Sequence, residues 1–595
     1  MTPFWFEGCF GWLHPGAQTP GEPGRGAMGR GAILCGPIGA EADYIHRAWR
    51  QLADHLAAAG VWVLRFDYRG TRDSLDHDDS TRPLRGWIES IKAADRRLRE
   101  AAGVRDVALV GLRLGATLAV VAAEEMGGLD RLALLAPVAS GGAYRRELAM
   151  MARLSRSGKA RGADAAPAEG DADFTAEALA DLAALQPCRI PVRPAPRVLV
   201  LSRAGVSGDR ELVEPLRALG SEVEEAAFDG YAALMVRPDD ARYPKAAFDT
   251  VVNWLSADLA PATTRSLEAP IPSKAPARTQ FIDGSETAFF FRERAPLFGV
   301  AVSPSRPRAE PPAVLFLNTG AVGHSGMSGI WVGMARRFAA LGLTSLRFDL
   351  AGVGDSPARD GHEDGFKRIE DAAADVTAAI DWLHGHGHER VTLVGFCRGA
   401  RLAFNVAMID KRVEGLVLIN PRRLFWALEA PPQPPKGARG YLRTATDPLT
   451  WRRLMRGEIP LARVAAIPSN LMRWRQEVSA AAPGLERAPD AAARMLRSLG
   501  ERGVATLWVQ GQDDPYLADL EAYFSVPREA FAALFEMDTH FPRGVDHLFR
   551  RPGALAELGE AIGGHLMARW ALHEPAPAND LSGSADPTPV RSGGI

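Results

Sequence analysis

The chain carries the same pattern twice. Val61 to Ser74 reads VWVLRFDYRGTRDS and Leu343 to Ser356 reads LTSLRFDLAGVGDS. Val107 to Val120 reads VALVGLRLGATLAV, and Val391 to Phe404 reads VTLVGFCRGARLAF. Leu132 to Val138 (LALLAPV) and Leu416 to Arg422 (LVLINPR) correspond in the same way. The offset barely changes between landmarks, which chance similarity among apolar strands would not produce, so one fold is built twice. Each copy alternates β-type runs with amphipathic stretches such as Ala48 to Ala59 and Val332 to Leu341. That alternation gives parallel strands with helices on both faces. The expected class is α/β, as two tandem domains that each carry a cap insertion near the carboxyl ends of the strands.

Composition sets the boundaries. A chain of 595 residues exceeds what one core can serve. Residues 257–278 (ADLAPATTRSLEAPIPSKAPAR) read as a linker between a first domain, 1–256, and a second, 279–572, whose cap spans about 421–500. Residues 573–595 share the linker's composition and read as a disordered tail, and Ser157 to Asp173 reads as a mobile insert. With 47% hydrophobic and 24% charged residues and a net charge of −2, the chain resembles an ordinary globular protein without the basicity of a nucleic-acid binder. No apolar run approaches the roughly 20 residues that span a bilayer. Met1 to Pro15 lacks the basic leader and apolar core of a signal peptide. Cys9, Cys35, Cys188 and Cys397 lack metal-ligand spacing and fit the free thiols of a reducing cytoplasm.

One of these cysteines stands in a special place. Gly395-Phe396-Cys397-Arg398-Gly399 ends an apolar strand pattern and opens a helix-forming stretch, the small-x-nucleophile-x-small spacing of a nucleophile elbow. The flanking glycines let the strained turn close, and the helix start favours a thiolate and aims the Arg398 N–H at a developing oxyanion. A second oxyanion donor is expected from Asn318-Thr319-Gly320-Ala321, with Gly320 and Ala321 as candidates. Further on, Leu507 to Gly511 reads as a buried strand followed by Asp513 and Asp514, and His547 stands in a loop ahead of the terminal helix. We assign Cys397 as nucleophile, Asp514 as the acid in preference to Asp513, and His547 as general base and acid in preference to His540.

The first copy departs from this pattern. Its elbow reads Gly111-Leu112-Arg113-Leu114-Gly115, and a guanidinium cannot attack a carbonyl. No histidine occurs between His77 and His324, and Gly230-Tyr231-Ala232-Ala233 fills the expected position. Arg113 is read either as a buried structural cation or as a grip for a substrate anion. Tyr44 and His46 are placed in a loop after the first strand as packing or cap contacts. Asp349 and Asp355 recur as Asp67 and Asp73 and are read as turn-stabilising. His384, His386 and His388 alternate without a carboxylate or cysteine at ligand spacing, so no metal is expected.

The proposed cap of the second copy is basic. Residues 421–479 contain eleven Lys and Arg against four Asp and Glu. Trp426, Trp451 and Trp474 are candidate liners of an acyl channel. Arg452 and Arg453 are candidate contacts for an acidic partner, an acyl or peptidyl carrier protein or the phosphates of coenzyme A.

RFDLAGVGDS followed by VGFCRGA resembles the α/β-hydrolases of the serine-aminopeptidase-like branch, here in tandem over residues 1–572. Nucleophile, acid and histidine follow in the order of that family's triad. The first copy resembles the inactive, arginine-elbow domains of such tandem proteins. A cysteine at the elbow is similar to dienelactone hydrolases, polyhydroxyalkanoate synthases, bile-acid N-acyltransferases and the carrier-protein aminoacyltransferases and thioesterases. The resemblance implies a thioester enzyme intermediate and no cofactor. Since an acyl-cysteine lies close in energy to a thioester donor, the expected activity is that of an acyltransferase or thioesterase on a coenzyme A or carrier-protein thioester. Carboxylester or lactone hydrolysis by the same triad is the alternative. A non-enzymatic scaffold of two decayed hydrolase domains is the alternative of another class.

Overall fold

The computed structural model describes residues 1–17, 29–77, 81–157, 174–259, 276–308, 311–359, 361, 369–421, 488–524, 526–551 and 553–570. In the first half, β1 (Thr2–Phe6), β2 (Cys9–His14) and β3 (Arg30–Cys35) precede α1 (Ala40–Ala58), β4 (Trp62–Phe66), α2 (Pro83–Ala102), β5 (Asp106–Leu112) and α3 (Leu114–Met126). Then come β6 (Arg131–Leu135), α4 (Gly141–Ser157), α5 (Ala176–Ala184), β7 (Arg197–Ser202), α6 (Val213–Ala218), β8 (Glu222–Ala227), α7 (Tyr231–Leu234) and α8 (Lys245–Ser256). The second half opens with β9 (Ala277–Phe281), β10 (Gly284–Phe291), β11 (Leu297–Pro304), β12 (Ala313–Phe316), α9 (Ile330–Ala340), β13 (Ser345–Phe348) and α10 (Ile369–Gly385). It continues with β14 (Val391–Phe396), α11 (Arg398–Ile409), β15 (Val413–Ile419), α12 (Ala488–Glu501), β16 (Ala505–Val509), α13 (Leu517–Phe524), α14 (Phe531–Phe535), β17 (Asp538–His540) and α15 (Ala554–Arg569).

Two sheets result, with one plan. The first runs β1-β2-β4-β3-β5-β6-β7-β8, and the second runs β9-β10-β11-β13-β12-β14-β15-β16-β17. In each, an antiparallel flank meets a parallel block: β2 pairs antiparallel with β4 and β11 with β13, and the pairings beyond are parallel. Parallel strands are covered on both faces, and the central ones are accordingly buried along their whole length: ATLWV of β16, VTLVGF of β14 and RGAILC of β3. Apolar clusters fill both faces of each sheet. The two tandem α/β domains read from the repeat are thus present, and both elbows lie at the carboxyl edges of the parallel strands.

The halves are joined through a buried face that the sequence did not announce. Phe10 of β2 stacks against Phe298 of β11 at 6.4 Å, Trp12 meets Phe298 at 4.6 Å, and Met1, Ala288 and Val300 complete the patch. Phe10 and Phe298 hold equivalent positions, each followed by a glycine paired with the phenylalanine of an RFD motif: Gly11 with Phe66 and Gly299 with Phe348. The motif arginines cross over in the same symmetrical way. Arg65 ion-pairs with Asp355 and Arg347 with Asp73. Such reciprocity is what a two-fold interface produces between identical subunits, here within one chain. Glu286 takes Arg347 at 2.6 Å and Arg336 at 2.9 Å, so the cations and carboxylates of this face answer each other.

Some expected boundaries move. β9 begins at Ala277, inside the residues read as linker, because it pairs with β10 from Ala277 to Phe281. The cap expected over about 421–500 cannot extend to its stated end. α12 packs against α13 and α14, which places it in the body of the domain. Residues 422–487, the expected insert beyond Ser157, which itself ends α4, and the tail at 573–595 lie outside the described residues. Tyr44 and His46 belong to α1 and not to a loop.

Candidate active site

β14 ends at Phe396 and α11 begins at Arg398, so Cys397 has the whole turn to itself at φ 54°, ψ −105°. A side chain dislikes that conformation, and the neighbouring structure over-determines it. Cys397 N–H donates to Ile419 of β15 at 2.8 Å. A Cβ on Gly395 would lie 2.3 Å from the Gly399 carbonyl, and one on Gly399 would lie 2.7 Å from the Asn318 carbonyl. The two glycines are therefore steric requirements of the turn, as their spacing implied. The N–H of Arg398, in the first turn of α11, has no carbonyl four residues back within the helix.

The loops after β16 and β17 bring an acid and a base together. His547 Nδ1 lies 2.8 Å from Asp514 Oδ2, and the imidazole is also hydrogen-bonded to Cys397. Phe396 and Tyr516 bracket the ring edge-on at 5.7 and 5.2 Å. Asp514 is buried, and its carboxylate also accepts from Gln510 Nε2 at 2.6 Å and the Tyr516 N–H at 2.9 Å. Burial alone would lower the pKa of His547, but the hydrogen bonds with Asp514 and Cys397 outweigh it and raise it to about 9. Asp513 is exposed, with its N–H held by the Val545 carbonyl at 3.0 Å. His540 is itself part of β17 and faces Glu557 at 3.6 Å. Geometry therefore separates Asp514 from Asp513 and His547 from His540.

Asn420, which the sequence reading passed over inside LVLINPR, joins these pieces. Fully buried just beyond β15, it donates to the His547 carbonyl at 2.8 Å, and its Oδ1 accepts from the Gly511 N–H at 2.9 Å. One amide thus ties the histidine loop to the turn that bears Asp514. At the same position beyond β6 the first half has Ala136, with the same φ of 44° and no such side chain. Comparing the two LVL-type landmarks would have exposed that difference.

The loop after β12 stands against the elbow. Asn318 holds it, donating to the Val322 carbonyl at 3.0 Å and to Asp349 at 3.1 Å while accepting from Leu350 N–H at 3.0 Å. Gly320, at φ 64°, and Ala321 follow within it. Asp349 and Asp355 keep the turn role read from sequence, since Asp355 N–H donates to Asp349 at 2.8 Å. Asp355 also crosses to Arg65, and Asp73 crosses to Arg347 and His324, contacts that local sequence does not reveal. His46 too faces Asp355, at 3.4 Å, and is therefore an interface residue.

The first half keeps the elbow and changes its occupant. Arg113 adopts φ 55°, ψ −122°, close to the values at Cys397. Its guanidinium is 1% exposed and donates to Glu41 at 3.2 Å and Glu147 at 2.7 Å. Burial opposes its charge, but Glu41, Tyr231 and Glu147 hold its pKa above the ordinary arginine value. Two carboxylates already occupy this cation, which favours its structural reading. Trp426, Trp451, Arg452, Arg453 and Trp474 lie outside the described residues. Among the described residues, His324, Asp349 and Asp355 converge closely enough to hold a metal. The His324 nitrogens, however, face Asp349 at 2.8 Å and Asp73 at 2.9 Å, and Asp355 faces Arg65, so protein groups already satisfy the cluster. His386 stacks on Trp382 at 3.9 Å and is exposed, as a turn residue would be.

The family model of the α/β-hydrolase fold matches residues 312–523. That segment has the α/β-hydrolase fold. It includes the elbow, the loop after β12 and the Asp514 turn. None of the curated proteins matches the chain. Solved structures similar to it include an α/β serine hydrolase homologue from Coxiella burnetii, 18% identical over 47% of this chain and 96% of its own, with TM-score 0.28. The α/β-hydrolase GrgF from Penicillium sp. is 16% identical over 49% of this chain and 100% of its own, TM-score 0.31. A dienelactone hydrolase from Anabaena variabilis is 17% identical over 48% and 99%, TM-score 0.29. No helix among the described residues is long and apolar enough to cross a membrane.

Proposed function

We propose that the second half transfers acyl groups through an acyl-cysteine at Cys397, as an acyltransferase or thioesterase acting on a coenzyme A or carrier-protein thioester. The reading rests on one observation: His547 stands between Asp514 and Cys397, and Cys397 occupies the elbow. In the first step the Cys397 sulfur attacks the thioester carbonyl while His547 holds the proton. The resulting oxyanion faces the main-chain N–H of Arg398 and those of Gly320 and Ala321. Collapse breaks the bond to the leaving sulfur, which takes the proton from His547. In the second step the neutral imidazole removes a proton from the acceptor, amine, hydroxyl or water. The acceptor then attacks the acyl-cysteine, and Cys397 leaves as thiolate. Asp514 keeps Nδ1 protonated and stabilises the imidazolium throughout. Cysteine supports transfer from thioesters because the intermediate preserves the energy of the donor. The basic composition of residues 421–479 supports an acidic donor such as a carrier protein.

The first half is proposed to turn nothing over, since Arg113 replaces the nucleophile and Tyr231 stands where the base would be. Incubation with an activated acyl thioester followed by peptide mapping should find one acyl group on the Cys397 peptide. Cys397→Ala should abolish it. Labelling that persists in the variant would remove Cys397 from the mechanism.

A further inference from the structure

The site assembled above draws on the second half alone, yet one residue of the first half reaches it. Asp239, in the turn after α7, accepts a hydrogen bond from Arg398 Nη1 at 2.7 Å through Oδ1. A Cβ placed on Gly320 would lie 2.9 Å from its Oδ2, so the carboxylate also rests against the backbone of the loop after β12. Arg398 and Gly320 belong to the two segments whose N–H groups face the oxyanion in the mechanism proposed above. Among the described residues, Arg398 is the hydrogen-bond donor to the Asp239 carboxylate.

We propose that Asp239 is a positioning residue of the second half's active site, one carboxylate of the first half that sets the spacing between both arms of the oxyanion hole. The inference rests on the acyl-transfer reading. Three physical points carry it. A charge-assisted hydrogen bond fixes direction as well as distance, so the first turn of α11 is held from outside its own domain. Contact at Gly320 occurs where the backbone has a positive φ, a conformation that a larger side chain would strain and that leaves no Cβ between loop and carboxylate. The two halves share a buried ionic and aromatic face, so an anchor on the first half is rigid relative to the second. The side chains of Arg398 and Asp239 are 53% and 37% exposed, and an ion pair that open adds little to folding. Its effect should therefore appear in the rate of the step that builds an oxyanion and hardly in stability. The arginine also neutralises Asp239, which would otherwise oppose the developing negative charge.

Asp239→Ala and Asp239→Asn in the full-length protein separate positioning from simple packing. Acylation of Cys397 by p-nitrophenyl acetate passes through an oxyanion, whereas alkylation by iodoacetamide does not. Both variants should acylate on the order of tenfold more slowly, since displacing a donor is milder than deleting one. Alkylation should stay within about twofold of the unaltered protein, with an unchanged melting temperature. Acylation at the unaltered rate, or a parallel loss of acylation and alkylation, would overturn the inference while leaving Cys397 as nucleophile. Absence of acyl transfer to Cys397 in the unaltered protein would remove the mechanism itself, and this inference with it.

Discussion

His324 of the second half places its Nε2 2.9 Å from the carboxylate of Asp73 in the first, while its Nδ1 meets Asp349 at 2.8 Å. Burial alone would lower its pKa, but Asp73 and Asp349 outweigh that and raise it from 6.5 to about 10. Asp73 also pairs with Arg347, and Asp355 beside it with Arg65. A buried imidazolium thus clamps the two halves.

A stability prediction follows from its sign. The folded chain keeps a proton that the unfolded chain releases above about pH 6.5. The contribution is therefore complete below that pH and lost as pH rises toward 10. Thermal unfolding measured from pH 6 to 10 should show a falling melting temperature across that window. His324→Gln should flatten this slope to the part His547 contributes and lower stability by about 3 kcal/mol at pH 6, because it leaves buried Asp349 without its cation and Asp73 with Arg347 alone.

Separating the halves should expose Phe10, Trp12, Phe298 and the crossed ion pairs together. Residues 1–259 and 276–595, expressed apart, should each fail to behave as a folded monomer in size-exclusion chromatography and circular dichroism. The first half should not become labelled by acyl donors. A well-behaved monomer of either half would show that the shared face is dispensable.

His547→Ala should slow acylation of Cys397 by roughly 10²–10⁴-fold. Because Asp514 and Cys397 hold the histidine at about 9 against its burial, the imidazolium that delivers the leaving-group proton in the proposed mechanism persists at neutral pH. The acylation rate should therefore decline as pH passes about 9. Stopped-flow measurement of the burst across pH reads this directly.

Asn420→Ala should reproduce in the second half what Ala136 already is in the first. It frees the His547 loop from the Asp514 turn and leaves the Gly511 N–H without its side-chain acceptor. The expected result is a fall in kcat of about tenfold or more with KM little changed, since a misplaced base costs the chemical step and not binding. Steady-state kinetics on a small thioester tests it.

Arg113→Met should act on folding alone. Its guanidinium is committed to Glu41 and Glu147, so its removal leaves the half-buried Glu41 carboxylate without a cation. The melting temperature should drop while kcat/KM at Cys397 stays put. A raised KM for an acidic substrate with unchanged stability would instead restore the ligand-grip reading.

Much of this was legible in one dimension. Gly395, Cys397 and Gly399 could be read because a strained turn between a strand and a helix constrains residues that are neighbours in sequence. The repeat could be read because strands buried on both faces must be apolar throughout, and both copies obey that rule in the same order. Asp514 and His547 could be narrowed to their loops by chain order, but each retained a competitor. Only the fold set Asp514, buried against His547, apart from exposed Asp513, because adjacent residues differ in burial according to how the turn sits on the sheet. It also revealed Asn420, His324, Asp73 and Asp239. Their partners lie far along the chain or in the other copy, and such pairings leave no periodicity or spacing behind. Sequence determined the elbow and the doubled α/β plan, since both are local backbone and burial requirements. Tertiary structure decided which carboxylate lies against His547 and which bind the halves, since that depends on where distant side chains meet.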